Sequence, residues 1–318
     1  MSSKPWPSIS VVIPCYNAER FIRQTLESVL QQTHQPLEVV LVDDGSTDNS
    51  AAIASSLGGL IRVERQRNQG ESVARNRGME MARGEWIALL DADDIWYPQK
   101  LQRQVEAWQS SEPDVICFYS DFNRFCDDQD LGVVIRPELH RQADYRIQML
   151  CNSDAAILPS ASLFPRELGL AIKFPEETRY GEDMMFFSQL RDHGRLHKIP
   201  ECLVGYRTFP GMQSRGARFR LLSVQSRYEW AQGQSDRYTA SELQQVAAAL
   251  APQLVDAHDI AFWARDHEMV QACRDYYRVL QPQKAYPESM HWRLYPVWLM
   301  KLKDRLDSFR AGRKLPVS

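Results

Sequence analysis

The first 120 residues alternate between two hydrophobic periods, and that alternation limits the fold more than any other feature of the chain. Ser8 to Pro14 is a β-branched run and reads as a strand. Asn17 is placed to cap a helix running to about Gln32, with Phe21, Leu26, Val29 and Leu30 on its apolar face. Leu37 to Val42 is a second strand that ends in Asp43-Asp44-Gly45-Ser46, and Thr47 to Ser50 opens a short helix that stops at Gly58-Gly59. A strand over Ile61 to Val63, a helix over Ser72 to Ala82 and a strand over Trp86 to Leu90 follow. Pro98 then introduces a helix from Gln99 to Trp108, and Val115 to Tyr119 is the next strand. Such alternation predicts an α/β fold: a mostly parallel, Rossmann-like sheet flanked by helices. In sheets of this kind, ligands sit beyond the carboxyl ends of the strands. Three polar clusters fall there, at Pro14 to Asn17, Asp43 to Ser46 and Asp91 to Asp94. Their convergence on one crevice is the central expectation.

The third cluster is the most acidic. Leu89-Leu90-Asp91-Ala92-Asp93-Asp94 sets three carboxylates at the end of an apolar strand. Each buried charge there needs a partner or loses its ionisation. A divalent cation, and with it a phosphate-bearing substrate, would satisfy them. An acidic turn in which Asp94 caps the following helix satisfies the same pattern.

Composition closes other routes. With 318 residues the chain is long enough for one large domain or a domain with an appendage, and its net charge of −3 offers no broad basic surface for nucleic acid. Six scattered cysteines, without a Cys-x-x-Cys pair or zinc spacing, read as buried thiols in a reducing compartment. Met1 to Trp6 has no apolar signal segment, and no run is long enough to cross a bilayer, so a cytoplasmic protein is expected. From residue 122 to 215 the pattern turns irregular, with a helix expected from Glu182 to Arg191. Residues 216 to 280 read as helical, with Tyr228, Trp230, Leu243, Val246, Leu250, Leu254 and Ile260 at helical spacing. The expected division is therefore a domain over residues 1–215 and a helical extension over 216–318.

Seven segments then occur in a telling order: Ser10-Val-Val-Ile-Pro-Cys-Tyr-Asn17, Val42-Asp-Asp-Gly-Ser-Thr-Asp48, Asn68-Gln-Gly70, Ala74-Arg-Asn76, Gly84-Glu-Trp-Ile87, Leu90-Asp-Ala-Asp-Asp94 and Gly181-Glu-Asp183. As an ordered set covering roughly residues 8–210, they make the chain resemble the family 2 glycosyltransferases, inverting GT-A enzymes that use nucleotide sugars. The resemblance implies a nucleotide-diphosphate sugar donor, a saccharide or lipid-linked acceptor hydroxyl, and Mn2+ or Mg2+ as cofactor. Polysaccharide, lipopolysaccharide or glycolipid synthesis would be the setting. It also implies roles by position. Pro14, Tyr16 and Glu19 lie where the first strand meets the nucleotide, with Tyr16 placed to stack on the base. Asp44 would accept a pyrimidine N–H, and Arg75 would face nucleotide or phosphate, an ion pair at the surface being its plainer reading. Asp91 would touch ribose or bind metal through water, and Asp93 would bind the metal.

Asp183 is the implied general base, with Glu182 beside it on the acceptor side. Two acids in the first turn of a helix also complement its dipole, and both roles are compatible. The family often carries a histidine two residues past the position of Arg207; here Phe209 stands there, leaving Arg207, Arg215 or Arg218 to meet the diphosphate. A catalytically silent nucleotide-sugar-binding or scaffolding protein on the same fold is the competing reading. A dinucleotide oxidoreductase would need Gly-x-Gly-x-x-Gly after the first strand, which is absent.

The last segment, His291 to Met300, is aromatic and aliphatic, and Lys301, Lys303, Arg305, Arg310, Arg313 and Lys314 follow it. This pattern suits peripheral association with the inner face of an anionic membrane. It equally suits a terminal helix packed on its own domain or on a partner subunit of a homo-oligomer.

Overall fold

The computed structural model describes residues 6–127, 129–138, 145–152, 155–178, 180–209, 216–287 and 290. The chain divides into two compact units, Met1–Pro210 and Gly211–Ser318. In the first, the expected alternation is realised as β1 (Ile9–Cys15), α1 (Ile22–Leu30), β2 (Glu38–Asp43), α2 (Ser50–Ser56), β3 (Ile61–Arg65), α3 (Glu71–Met81) and β4 (Trp86–Leu89). These four strands pair in parallel in the order β3-β2-β1-β4. Register aligns their ends: Cys15 lies opposite Asp43, and Val12 opposite Leu89. Side chains alternate between faces, and both faces are covered. Val11 and Ile13 enter one core with Ile22, Leu26 and Leu101, while Val12 enters the other with Ile87, Phe164 and Phe186.

Beyond β4 the sheet becomes mixed. The later elements are β5 (Ile95–Trp96), α4 (Lys100–Ser110), β6 (Val115–Cys126), β7 (Gln129–Val134), α5 (Tyr145–Cys151), β8 (Leu163–Pro165), α6 (Arg166–Ile172), α7 (Glu182–Leu190) and β9 (Arg195–Arg207). β8 runs antiparallel to β4 and to β6, β9 runs parallel to β6, and β5 and β7 add antiparallel edges. β6 continues well past Tyr119, where its apolar run ends. It does so because the Asp121 carboxylate is paired inside the sheet with Lys198 at 2.9 Å, so a polar pair extends what hydrophobicity alone would stop.

Two local expectations are corrected. Asn17 does not cap α1; it sits at φ 49°, and its side-chain oxygen accepts from the Thr47 N–H at 2.9 Å. The helix begins five residues later, after a turn in which Phe21 N–H and Ile22 N–H both donate to the Ala18 carbonyl. Asp94 does not cap a helix either, because β5 intervenes before α4.

The second unit holds α8 (Ala217–Gly233), α9 (Ala240–Trp263) and α10 (His267–Leu280). Val246, Leu250 and Leu254 recur every four residues on α9 and are fully buried, whereas Tyr228, Trp230, Leu243 and Ile260 are partly buried. Thr239 and Glu242 form a reciprocal capping box that starts α9. The aromatic and basic tail over 291–318 lies outside the described residues, as does Arg215. Among the described residues every cysteine is free, and no helix is long and apolar enough to cross a membrane.

Candidate functional site

The carboxyl ends of β1, β2 and β4 form the floor of the site. At the end of β2 the chain turns through Gly45 at φ +77°, a conformation that costs a side chain bearing a Cβ, and a Cβ there would lie 2.9 Å from the Asn68 nitrogen. The turn orients two aspartates differently. Asp43 is buried; it accepts from the Ser46 N–H at 3.1 Å and faces Arg65 at 3.3 Å. Asp44 accepts from the Gln66 side chain (2.9 Å) and from the backbone N–H groups of Gln69 (2.9 Å) and Gly70 (2.8 Å). A carboxylate has about four acceptor positions, so roughly one is left for a ligand N–H. Pro14 is buried in β1, and Tyr16 beyond it is 52% exposed, with its ring free to meet a planar ligand. Cys15 between them is inert near neutral pH, its thiol pushed up to about 12, chiefly by burial. Glu19 has a structural partner: its carboxylate accepts from the Asn49 N–H (3.0 Å) and side chain (3.1 Å) just before α2.

Arg75 organises the acidic side. It is buried on α3, lies over the Phe174 ring at 5.1 Å, and pairs with Glu71, with Asp91 at 2.8 Å and with Glu182 at 3.4 Å. Burial works against its charge, but these three carboxylates more than compensate and hold it protonated. It is not at the surface. α3 itself lies close against β1 at Gly78, where a Cβ would come within 2.3 Å of a Val12 methyl.

The loop after β4 is fixed from behind, and its three aspartates differ. Asp91 is partly exposed and paired with Arg75. The Asp93 carboxyl is pushed up to about 6, first by burial and then by Asp91, with Arg207 acting in the opposite direction. Asp94 is fully buried and structural: one oxygen accepts from the Ser160 hydroxyl (2.6 Å), the other from the Arg207 N–H (3.0 Å).

Opposite this loop, Gly181 at φ +75° starts α7 and sets Glu182 and Asp183 in its first turn. An aromatic cluster seats the helix, with Phe186 stacked on Phe174 at 4.0 Å and edge-on to Phe187 at 5.2 Å. Glu182 has its acidity weakened by burial and then by Asp183, against the pull of Arg75. Asp183 is partly exposed, and one of its oxygens accepts from the Met184 N–H at 2.8 Å. Tyr206, on β9, packs edge-on against Phe122 at 5.6 Å. Burial raises its hydroxyl pKa first, and Asp94, Asp91, Asp93 and Asp183 each raise it further. Arg207 is committed to the loop: it donates to the Asp93 carbonyl (2.7 Å) and to Gln24, sandwiched between Phe21 (4.8 Å) and Phe125 (4.5 Å). Phe209 packs on Phe21 at 5.5 Å, so the position expected for a histidine is apolar.

Glu71, Gln66, Thr25, Ser160 and Tyr206 also belong to the site or its support, and no sequence motif marks them. Isolated polar residues carry no period or motif, and only the folded chain brings them to the crevice. Glu71, Asp91, Asp93, Asp94, Glu182 and Asp183 share it with two guanidinium groups, Arg75 and Arg207. That excess of negative charge suits a divalent cation. Among the described residues no three His, Cys, Asp or Glu side chains converge as a complete metal site. A cation here would draw on one or two carboxylates and on phosphate oxygens, the way magnesium-type ions are commonly held.

Comparison with known proteins accords with this geometry. The chain is 32% identical over 194 residues to the glycosyltransferase GlyG of Streptococcus pneumoniae, covering 55% of this chain and 62% of that one. It is 33% identical over 217 residues to the uncharacterized glycosyltransferase EpsJ of Bacillus subtilis, covering 64% and 62%. The chain thus spans about three fifths of the length of these two curated relatives (62% in each case). Among solved structures, S. aureus TarS 1–349 in complex with UDP-GlcNAc superposes with a TM-score of 0.55 at 18% identity, over 86% of this chain and 90% of that one. The mannosyltransferase PcManGT from Pyrobaculum calidifontis, in complex with GDP-Man and Mn2+, gives 0.53 at 18% identity, over 91% and 86%. These likenesses establish the GT-A-like fold. Residues 10–167 match the model of Glycosyl transferase family 2, and this part of the chain is a domain of that family.

Proposed function

We propose that this protein is an inverting glycosyltransferase that moves a sugar from a nucleotide-diphosphate donor to an acceptor hydroxyl. One observation supports the reading above the rest: the buried Arg75 pairs at once with Asp91 (2.8 Å), on the loop after β4, and with Glu182 (3.4 Å), next to Asp183 on α7, so acids from two distant segments line one crevice. The nucleotide would lie over the ends of β1 and β2, with Tyr16 against the base and Asp44 accepting a base N–H. Asp93, with Asp91, would hold Mn2+ or Mg2+, whose charge offsets the charge that develops on the departing diphosphate.

Asp183 takes the acceptor proton. A free aspartate has a pKa near ~3.9 and an alcohol resembles water at about 15.7. The gap of roughly 12 units, at ~1.36 kcal/mol each, makes prior deprotonation cost about 16 kcal/mol. The proton therefore moves as the new C–O bond forms, when the oxygen has become acidic, and Asp183 needs position more than basicity. The aromatic seat of α7 supplies that position. Glu182, neutralised by Arg75, is left to orient Asp183 or the acceptor.

The test is a panel of UDP- and GDP-sugars assayed for Mn2+-dependent binding, transfer and slow hydrolysis. We expect Asp93→Asn to weaken donor binding only when the metal is present. Asp183→Asn should keep donor binding and lose transfer by at least 100-fold; transfer at the parent rate would remove Asp183 from its role. A parent protein that binds donor yet neither transfers nor hydrolyses it would overturn the enzyme reading in favour of a silent binding protein. For the acceptor we extend the proposal to a saccharide or lipid-linked hydroxyl, met by a cytoplasmic protein held at the membrane surface through 291–318. Equal co-sedimentation with anionic liposomes by the full chain and by a chain ending at residue 290 would remove the membrane part.

A further inference from the structure

Behind the carboxylate loop lies a buried polar assembly that the proposed chemistry does not use. Residues Pro159–Ala161 form a 3-10 turn, and the three successive carbonyls of Ser160, Ala161 and Ser162, at its end and just after it, are each taken by a side chain from β5 or α4. Trp96 donates its indole N–H to the Ser160 carbonyl (2.7 Å), Gln104 its amide to the Ala161 carbonyl (3.0 Å), and Lys100 its amine to the Ser162 carbonyl (3.3 Å). All three donors are buried, and the Lys100 nitrogen also lies over the Trp96 ring at 3.7 Å. Burying an amine whose partners among the described residues are one carbonyl and one ring is costly.

What the turn presents is the Ser160 hydroxyl, fully buried, facing the loop. It accepts from the Asp91 N–H (3.1 Å) and donates to the Asp94 carboxylate (2.6 Å), so one oxygen spans the first and last aspartates. Other backbone groups of the loop are tied as well. Thr25 of α1 bonds the carbonyls of Ala92 (2.9 Å) and Asp94 (2.8 Å), Arg207 bonds that of Asp93 (2.7 Å), and the Asp94 N–H closes on Asp91 (3.1 Å). Asp91 and Asp93 are thereby left with their carboxylates projecting from a backbone that has little freedom.

We propose that Ser160 is a positioning residue for the donor site: its hydroxyl, held by Trp96, Gln104 and Lys100, locks the Asp91–Asp94 loop so that Asp91 and Asp93 meet the cation and diphosphate already in place. This rests on the transferase reading above. Preorganised ligands gain affinity because less ordering remains to be done on binding. Without the hydroxyl, the Asp91 N–H and one Asp94 oxygen lose their partner inside the protein, and the loop has reason to rearrange.

The experiment compares the parent with Ser160→Ala and Asp94→Asn, the second being close in shape to the native residue. Amide hydrogen exchange of the ligand-free proteins reads the loop directly. Mn2+ titration with UDP or GDP, whichever the parent retains, reads the site. We expect exchange in the peptide spanning 89–97 to rise at least 10-fold in both variants, with β1 and β2 peptides unchanged. Mn2+-nucleotide affinity should fall at least 10-fold, and donor KM should rise by a similar factor with kcat within about threefold of the parent. Local exchange and affinity at parent levels in both variants would overturn the proposal. A uniform rise in exchange across the sheet would also overturn it, since the serine would then serve general stability. A parent that binds neither nucleotide overturns the transferase reading, and this proposal with it, whatever the exchange pattern.

Discussion

Single residues at the site are constrained by geometry that their chemical type alone does not reveal. Gly45 has two constraints, a positive φ and a Cβ position 2.9 Å from the Asn68 nitrogen, so Gly45→Ala strains both the β2 turn and the segment that closes over Asp44. We expect a loss of about 1–3 kcal/mol in chemical denaturation, together with weaker nucleotide binding as the Gln69 and Gly70 N–H groups shift. Lys100 makes a prediction in pH. Its pKa is lowered well below the ordinary lysine value, first by burial. Between that depressed value and ~10.4 the unfolded chain binds the proton and the folded chain does not, so this group makes stability rise with pH by up to ~1.4 kcal/mol per unit. Lys100→Met removes the effect. The melting temperature of the variant minus that of the parent should therefore decline as pH is raised from neutral towards 9.5, and a constant difference would refute a depressed Lys100.

At the scale of elements, the same physics decides where helices start and how they are held. α7 begins at Gly181 in the left-handed region, has no side-chain cap, and is secured by its aromatic seat instead. α9 shows the opposite strategy, with the Thr239–Glu242 box satisfying its first N–H groups. Thr239→Ala should cost about 0.5–2 kcal/mol. That loss should appear as a lower denaturation midpoint and faster amide exchange in the first turn of α9, with exchange in the β1–β4 peptides unchanged. Identical exchange in that turn would show that the box contributes nothing.

For the whole molecule, the first unit has its own sheet core. Among the described residues, the two clusters on the faces of the sheet lie between Ile9 and Tyr206, with β1, β4, β6, β8 and β9 contributing to both. A chain ending at residue 210 is accordingly expected to fold cooperatively and to retain Mn2+-dependent nucleotide binding within about tenfold of the full protein. Far-ultraviolet circular dichroism with thermal melting, followed by the same titration, checks this. A molten, non-cooperative fragment would mean that the helical unit is needed for the sheet to fold.

The amino-acid order alone determined the parallel half of the sheet, β1 to β4 with α1 to α3, because buried strands and amphipathic helices write their periods directly into hydrophobicity. It also determined which carboxylates cluster at the strand ends, since Asp43-Asp44 and Asp91 to Asp94 are contiguous in the chain. Local pattern was silent wherever a polar group finds its partner far away: β6 runs on through Asp121 because Lys198 is there, and Asn17 turns to Thr47 rather than capping its own helix. The meeting of Arg75 with Asp91 and Glu182, and of Ser160 with Asp94, was decided only by the tertiary structure. Hydrogen bonds and ion pairs act over a few ångströms in space, and separation along the chain places no limit on which residues come that close.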